Sequence, residues 1–135
     1  MATIARLRES FPGHFMHAFA CKAGSIPSVL RLVRDAGMGC EVASPGELAL
    51  AEAAGFAPEH IVFDSPAKSR AEIAQALGRG MALNIDNFQE LARIDAWMKR
   101  HSHSRSVIGI RINPQVGGGR IAAMSTATDT SKFGI

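Results

Sequence analysis

The sequence predicts an α/β chain: a parallel (β/α)8 barrel, incomplete, represented in 135 residues by about five strands and four or five helices. Three observations carry that expectation. Short apolar strand patterns alternate with amphipathic helical patterns in units of rather even length. No GxGxxG follows the first strand, which weighs against the open doubly wound sheet with a dinucleotide fingerprint. Nearly every strand pattern ends on a charged residue, at the end where the loops of a barrel carry chemistry.

Taken in order, "FMHAFAC" (residues 15–21) is the first strand pattern, and "IPSVLRLVRDAG" the first helix of the alternation. Ser25 with Pro27 marks its start and Gly37 its stop. "CEVAS" then precedes the helical "PGELALAEAAG", closed by Gly55. "HIVFD" leads to "SRAEIAQALGRG", where Ser69 and Glu72 have capping-box spacing and Gly80 follows the last turn. "MALNID", the helical "NFQELARIDAWMKR" and the strand "SVIGIRIN" complete the alternation. A helix between successive strands returns each parallel to the last through a right-handed crossover.

Composition excludes several classes of function. With 47% hydrophobic residues the chain can bury a core, so a disordered tail is ruled out. No run reaches the length needed to span a bilayer and the first fifteen residues lack the apolar centre of a secretory signal, which points to the cytoplasm. Cys21 and Cys40 lie in apolar strand patterns and are expected as buried free thiols. A net charge of +3, no Tyr and one Trp do not make a nucleic-acid-binding face. The basic "MKRHSHSR" is expected to be a solvated helix end whose Lys99 and Arg100 complement the dipole; His101 and His103 lack nearby acidic or Cys partners for a metal. Gly117–Gly119 with Arg120 is expected to be a loop and not a phosphate cradle.

The charged strand ends are Lys22, Glu41, Asp64, Asp86 and Arg111. Strand alternation places Ala18 and Ala20 on the face of Lys22, Gly39 beneath Glu41 and Gly109 beneath Arg111. Small residues under charged ones leave room for a flat group at one mouth of the barrel, where Lys22, Glu41 and Arg111 are expected to converge. A lysine amine beside apolar walls and other cations can attack a carbonyl. Position alone leaves open both a carbonyl cofactor and an aldolase-type substrate.

Six segments narrow the choice. "FACKAG" resembles the "YAVKAN" segment of fold-type III pyridoxal phosphate (PLP) enzymes, the ornithine, diaminopimelate and arginine decarboxylase group with its alanine-racemase-like barrel. In the same order, "GCEVASPGEL" resembles "GFDVVSGGEL", "HIVFDSPAKS" resembles "IIFANPCKS", "NIDNFQEL" resembles "VDSEEEL", "IGIRINP" resembles "LRINP", and "TSKFGI" resembles "SKFG". The resemblance spans residues 15–135. It implies Lys22 as the catalytic lysine that forms the Schiff base with PLP, with Glu41 and Arg111 also at the cofactor. Lys68 and Lys132 match recurrent lysines that pack and pair near the barrel, and Ser65 and Pro66 shape a loop. Gly24 departs from the family's Asn, and "NPQVGGGRIAAMSTATDTSKFGI" from a His-containing stretch.

The activity implied is PLP-dependent decarboxylation of an amino acid of the diaminopimelate or ornithine type, by a homodimer or other homo-oligomer. Racemisation or epimerisation on the same barrel, and a non-catalytic PLP carrier or regulatory homologue, are the alternatives. The resemblance also implies that residues 1–135 are the N-terminal part of a PLP-binding barrel domain, with the C-terminal half of the barrel and a β-domain lying outside them. By themselves the 135 residues are then expected to lack turnover and to self-associate.

Overall fold

Strands and helices alternate along the chain in a computed structural model that describes residues 2–117 and 126–135. Helix α1 (Ala2–Glu9) comes first, followed by β1 (Ala18–Ala20), α2 (Pro27–Asp35), β2 (Gly39–Val42), α3 (Pro45–Ala53) and β3 (Ile61–Phe63). After these come α4 (Arg70–Arg79), β4 (Ala82–Ile85), α5 (Phe88–Met98) and β5 (Ile108–Ile110). The chain divides into two units, Met1–Phe63 and Asp64–Ile135. Each is α/β with parallel strands, the repeating grammar of the barrel class expected from the sequence.

In the first unit β1 pairs with β2 and β2 with β3, both parallel, with Ala18 opposite Gly39 and Cys40 opposite Ile61. Gly39 is required by this pairing: a Cβ there would sit 2.6 Å from the His60 carbonyl oxygen. Leu30 and Val33 of α2 and Leu48 and Ala51 of α3 are buried, as are Cys40, Val42, Ile61 and Phe63 on the strands. Fully burying a side chain such as Leu30 contributes roughly 1.5–3 kcal/mol. Helix α1, which the sequence pattern did not mark, buries no residue; Arg8 near its end donates to the Ala36 carbonyl at 3.2 Å.

The second unit pairs β4 with β5, parallel, Leu83 opposite Ile108. Ile73, Ala76 and Leu77 of α4 and Ile94 of α5 are buried, together with Met81, Leu83 and Ile85. Ser104 donates to the Leu77 carbonyl at 2.7 Å, satisfying an orphan acceptor at the end of α4.

Helix ends mostly follow the sequence. Ser69 and Glu72 form a complete capping box, Ser69 Oγ accepting from Glu72 N at 3.2 Å and Glu72 Oε2 from Ser69 N at 2.7 Å. Gly80 caps the same helix in the left-handed region, φ 79°. Ser69→Ala is expected to cost about 1 kcal/mol, within the 0.5–2 kcal/mol typical of a lost N-cap, measurable as a lower urea midpoint. Ser25 is a correction. The residue at the N-cap of α2 is Ile26, with no side-chain cap, and Pro27 alone sets the start by supplying the helical φ at the first position.

Candidate functional site

Lys22 lies two residues beyond the strand that was expected to carry it. β1 ends at Ala20, and Cys21–Ala23 form a 3-10 turn closed by Gly24 N donating to the Cys21 carbonyl at 3.0 Å. Strand alternation therefore stops short of Lys22. Fully buried Cys21 anchors the turn, and Lys22 is exposed. Among the described residues its ammonium has no hydrogen-bond or ion-pair partner. Gly24, at φ −174°, is extended, and a Cβ there would meet Phe19 and Val29 only at ordinary contact distances of 3.4 and 3.5 Å. The position does not demand glycine.

Glu41 is half-buried on β2, opposite Ala20 and therefore two residues from Lys22 in register. Its carboxylate is near enough to both thiols to raise them. Cys21 and Cys40 are free and buried, as expected, and Cys40 Sγ donates weakly to the Glu41 carbonyl at 3.8 Å. Burial, then the neighbouring Cys21, pushes the Cys40 thiol up to about 12 from its ordinary 9.0; burial and the Glu47 charge raise Cys21.

A raised thiol favours the neutral form in the folded chain. The stability it contributes is complete below the unfolded value, near pH 9, and is lost as pH climbs toward 12, because only the unfolded thiol can ionise in that window. Urea midpoints are thus expected to fall between pH 8 and 10.5, with a slope of at most about 1.4 kcal/mol per pH unit for each thiol. Cys40→Ala should flatten the decline.

In the second unit Arg111 follows β5 directly, its N–H donating to the Ile85 carbonyl at 2.8 Å. Its guanidinium lies 4.4 Å over the Phe133 ring, and Nη1 stands 3.5 Å from Asp86 Oδ1. Asp86 is buried and that oxygen has no hydrogen-bond partner among the described residues; the same holds for Asp64 Oδ1. Arg111 is 29% exposed, so its charge is only partly answered by Asp86. Beneath it Gly109 faces Asn84 across the β4–β5 pair, where a Cβ would overlap the Asn84 amide oxygen.

Lys68 has a different role. Its ammonium, 0% exposed, pairs with Glu90 at 2.9 Å and donates to the Ser65 carbonyl. Glu90 also accepts from the backbone N–H of Lys68 at 3.1 Å and of Asp86 at 2.9 Å. Sequence reasoning missed Glu90, although Asn87 and Glu90 have the same spacing as Ser69 and Glu72. Asn87 is in fact the N-cap of α5, and Ser44, with Glu47 reaching back to Ala43 N at 2.7 Å, repeats the device at α3. Lys132 is exposed, 5.2 Å over Phe133.

His101 stacks on Trp97 with centroids 4.0 Å apart, and Lys99 pairs with Asp95 at 2.8 Å, an ordinary helix end. Among the described residues no group of three or more His, Cys, Asp or Glu is placed to hold a metal, and no helix is long and apolar enough to cross a membrane. Of the glycine run, Gly118, Gly119 and Arg120 lie outside the described residues.

Comparison with known proteins identifies the family and the fold. The model of the family "Pyridoxal-dependent decarboxylase, pyridoxal binding domain" matches residues 1–135. The diaminopimelate decarboxylase of Methanothermobacter thermautotrophicus is 32% identical over 133 residues, covering 96% of this chain and 30% of that protein. That of Bacillus subtilis is 37% identical over 118 residues, 87% of this chain and 27% of the relative. Among solved structures, diaminopimelate decarboxylase from Helicobacter pylori complexed with L-lysine superposes with a TM-score of 0.85 at 34% identity, over 98% of this chain and 34% of that one. The M. jannaschii enzyme, also with L-lysine, gives 0.75 at 30% identity, over 97% and 30%. The chain spans about a third of the length of the relatives it matches.

Proposed function

The chain belongs to the pyridoxal-dependent decarboxylase family, through its pyridoxal-binding domain, and from that membership we propose that it serves PLP-dependent decarboxylation of an amino acid of the diaminopimelate or ornithine type, in the cytoplasm. The observation that carries the proposal is Lys22: an exposed primary amine without a described partner, in the segment matching the family's cofactor lysine. Free, buried Cys21 and Cys40 accord with a reducing compartment.

The residues present fit PLP. An amine unpaired by any described carboxylate is available to a carbonyl carbon, and a partly exposed guanidinium offers donors to an anionic or electron-rich group. Lys22 would hold the cofactor through Nζ, and Glu41 and Arg111 are carried over from the matching family segments as cofactor-binding residues. When bound, the cofactor supplies an electron sink for the pair left on the substrate α-carbon as carbon dioxide departs.

The chain's own groups set the surroundings. Cys21, buried, roots the turn from which Lys22 projects, and Glu41 contributes negative charge on the adjacent strand. Asp86 and the Phe133 face hold the Arg111 guanidinium from two sides. We place residues 1–135 in the N-terminal part of a PLP-binding barrel domain. Assembly as a homo-oligomer belongs to the same proposal: Val107, Ile110 and Ile112, at and beside β5, are exposed apolar side chains of the kind a partner covers.

Incubation of the protein, in a chain of the relatives' length, with PLP and in turn diaminopimelate, ornithine and arginine tests the reading. Release of carbon dioxide and the corresponding amine from one of them is expected. Inversion at the α-carbon without carbon dioxide would overturn it in favour of racemisation.

A further inference from the structure

In the second unit, helices α4 and α5 flank an open cavity of about 420 Å³, lined by Arg70, Ile73, Gln89, Arg93, Trp97 and Arg100. That volume is within the roughly 300–1,000 Å³ of small-molecule sites. The lining from α5 is a helical stripe, Gln89, Arg93 and Trp97 at four-residue spacing, with Arg100 just past the helix end, and the alanines beside them, Ala92 and Ala96, take up little of the space. Buried Ile73 supplies an apolar wall. Three arginines therefore line one cavity, and no acidic residue is among its lining.

The carboxylates of the two helices are engaged elsewhere. Glu72 accepts from Ser69 N in the capping box, Glu90 is buried against Lys68, and Asp95 pairs with Lys99. Arg93 donates through Nη1 to the Lys68 carbonyl, which fixes its direction and leaves its charge unanswered. Arg70 and Arg100 are exposed and have no ion-pair partner among the described residues. Like charges gathered without counter-charge cost free energy that a bound anion recovers, and the arginine fork matches phosphate and carboxylate oxygens two at a time.

We propose that the cavity between α4 and α5 binds a small oxyanion carrying two or more negative charges, held by Arg70, Arg93 and Arg100. The phosphate and carboxylate sources of that chemistry are separable by experiment. Trp97 lines the cavity and is the single tryptophan of the chain, so its emission reports occupancy directly.

Pyrophosphate and citrate are titrated in parallel against the full chain, with sodium chloride at matched ionic strength as the reference. A saturable change in Trp97 emission with at least one of the two is expected, pyrophosphate alone marking a phosphorylated ligand and citrate alone a polycarboxylate. The combined Arg70→Ala and Arg100→Ala change should weaken that affinity at least about tenfold, as loss of charge-assisted hydrogen bonds requires, with an unchanged urea midpoint. Arg70→Lys, which keeps the charge without the fork, should weaken it less. A response reproduced by chloride, or indifferent to these substitutions, would overturn the proposal. So would saturation by polyglutamate with none by either small anion, which would assign the face to an acidic polypeptide.

Discussion

Replacing Lys22 with Ala is expected to abolish covalent retention of PLP and to lower decarboxylation by on the order of 10²–10⁴-fold or more, the scale on which a positioned amine acts in proton transfer alone. The fold should hardly notice. Lys22 is exposed on a short turn without a described partner, and substitutions at such positions usually stay within about 0.5 kcal/mol. Treatment with PLP and borohydride, followed by peptide mapping, checks the first half: the label is expected on the peptide containing Lys22. Recovery on the Lys68 or Lys132 peptide would sink the assignment. Lys68 is a stringent comparison because its ammonium is sealed from solvent by Glu90 and Ser65.

The second large effect is on stability. Glu90→Ala is expected to cost about 3–5 kcal/mol, the range for stranding one member of a buried ion pair, because it leaves the Lys68 ammonium unpaired. It also orphans the backbone N–H groups of Lys68 and Asp86, which accept no substitute from an alanine methyl. Lys68→Met should cost less, since the Glu90 carboxylate keeps those two donors. Joining Lys68→Met to Glu90→Ala should cost less than the sum of the two single changes, giving a coupling energy in a double-mutant cycle read from urea midpoints. Equal costs for the two single changes would show that the carboxylate is not the centre of this cluster.

These two residues show what the sequence could and could not disclose. Lys22 was singled out because a charged residue closing an apolar run is a local signal, and six family segments in order attach an expected chemistry to it. Its exact seat was not: alternation extrapolates a strand in a straight line, whereas the backbone turns into a 3-10 helix after Ala20. Apart from α1, the strand and helix order was legible from periodicity, and the strands came out shorter than their apolar runs because pairing, not hydrophobicity, sets their ends. Glu90 was hidden for the opposite reason. A glutamate in a helix is ordinarily a solvated residue, and only the fold reveals that it meets a lysine 22 positions earlier. Arg111 was singled out, but its companions Asp86 and Phe133 are remote in sequence and came from the folded chain.

The uneven capping of the helices has a mechanical consequence. Where the chain leaves β2 and β4, a glutamate from the next helix ties down the amide just past the strand, Glu47 to Ala43 and Glu90 to Asp86. Those exits are stiff. Where it leaves β1, the helix that follows begins at Ile26 without any side-chain latch. The exit from β1, between Gly24 and Ile26 and directly beside Lys22, therefore lacks that restraint. With Lys22 as the proposed cofactor lysine, a long side chain on an unlatched base can follow a carbonyl carbon as its bonding changes, while Glu41 stays on the latched β2.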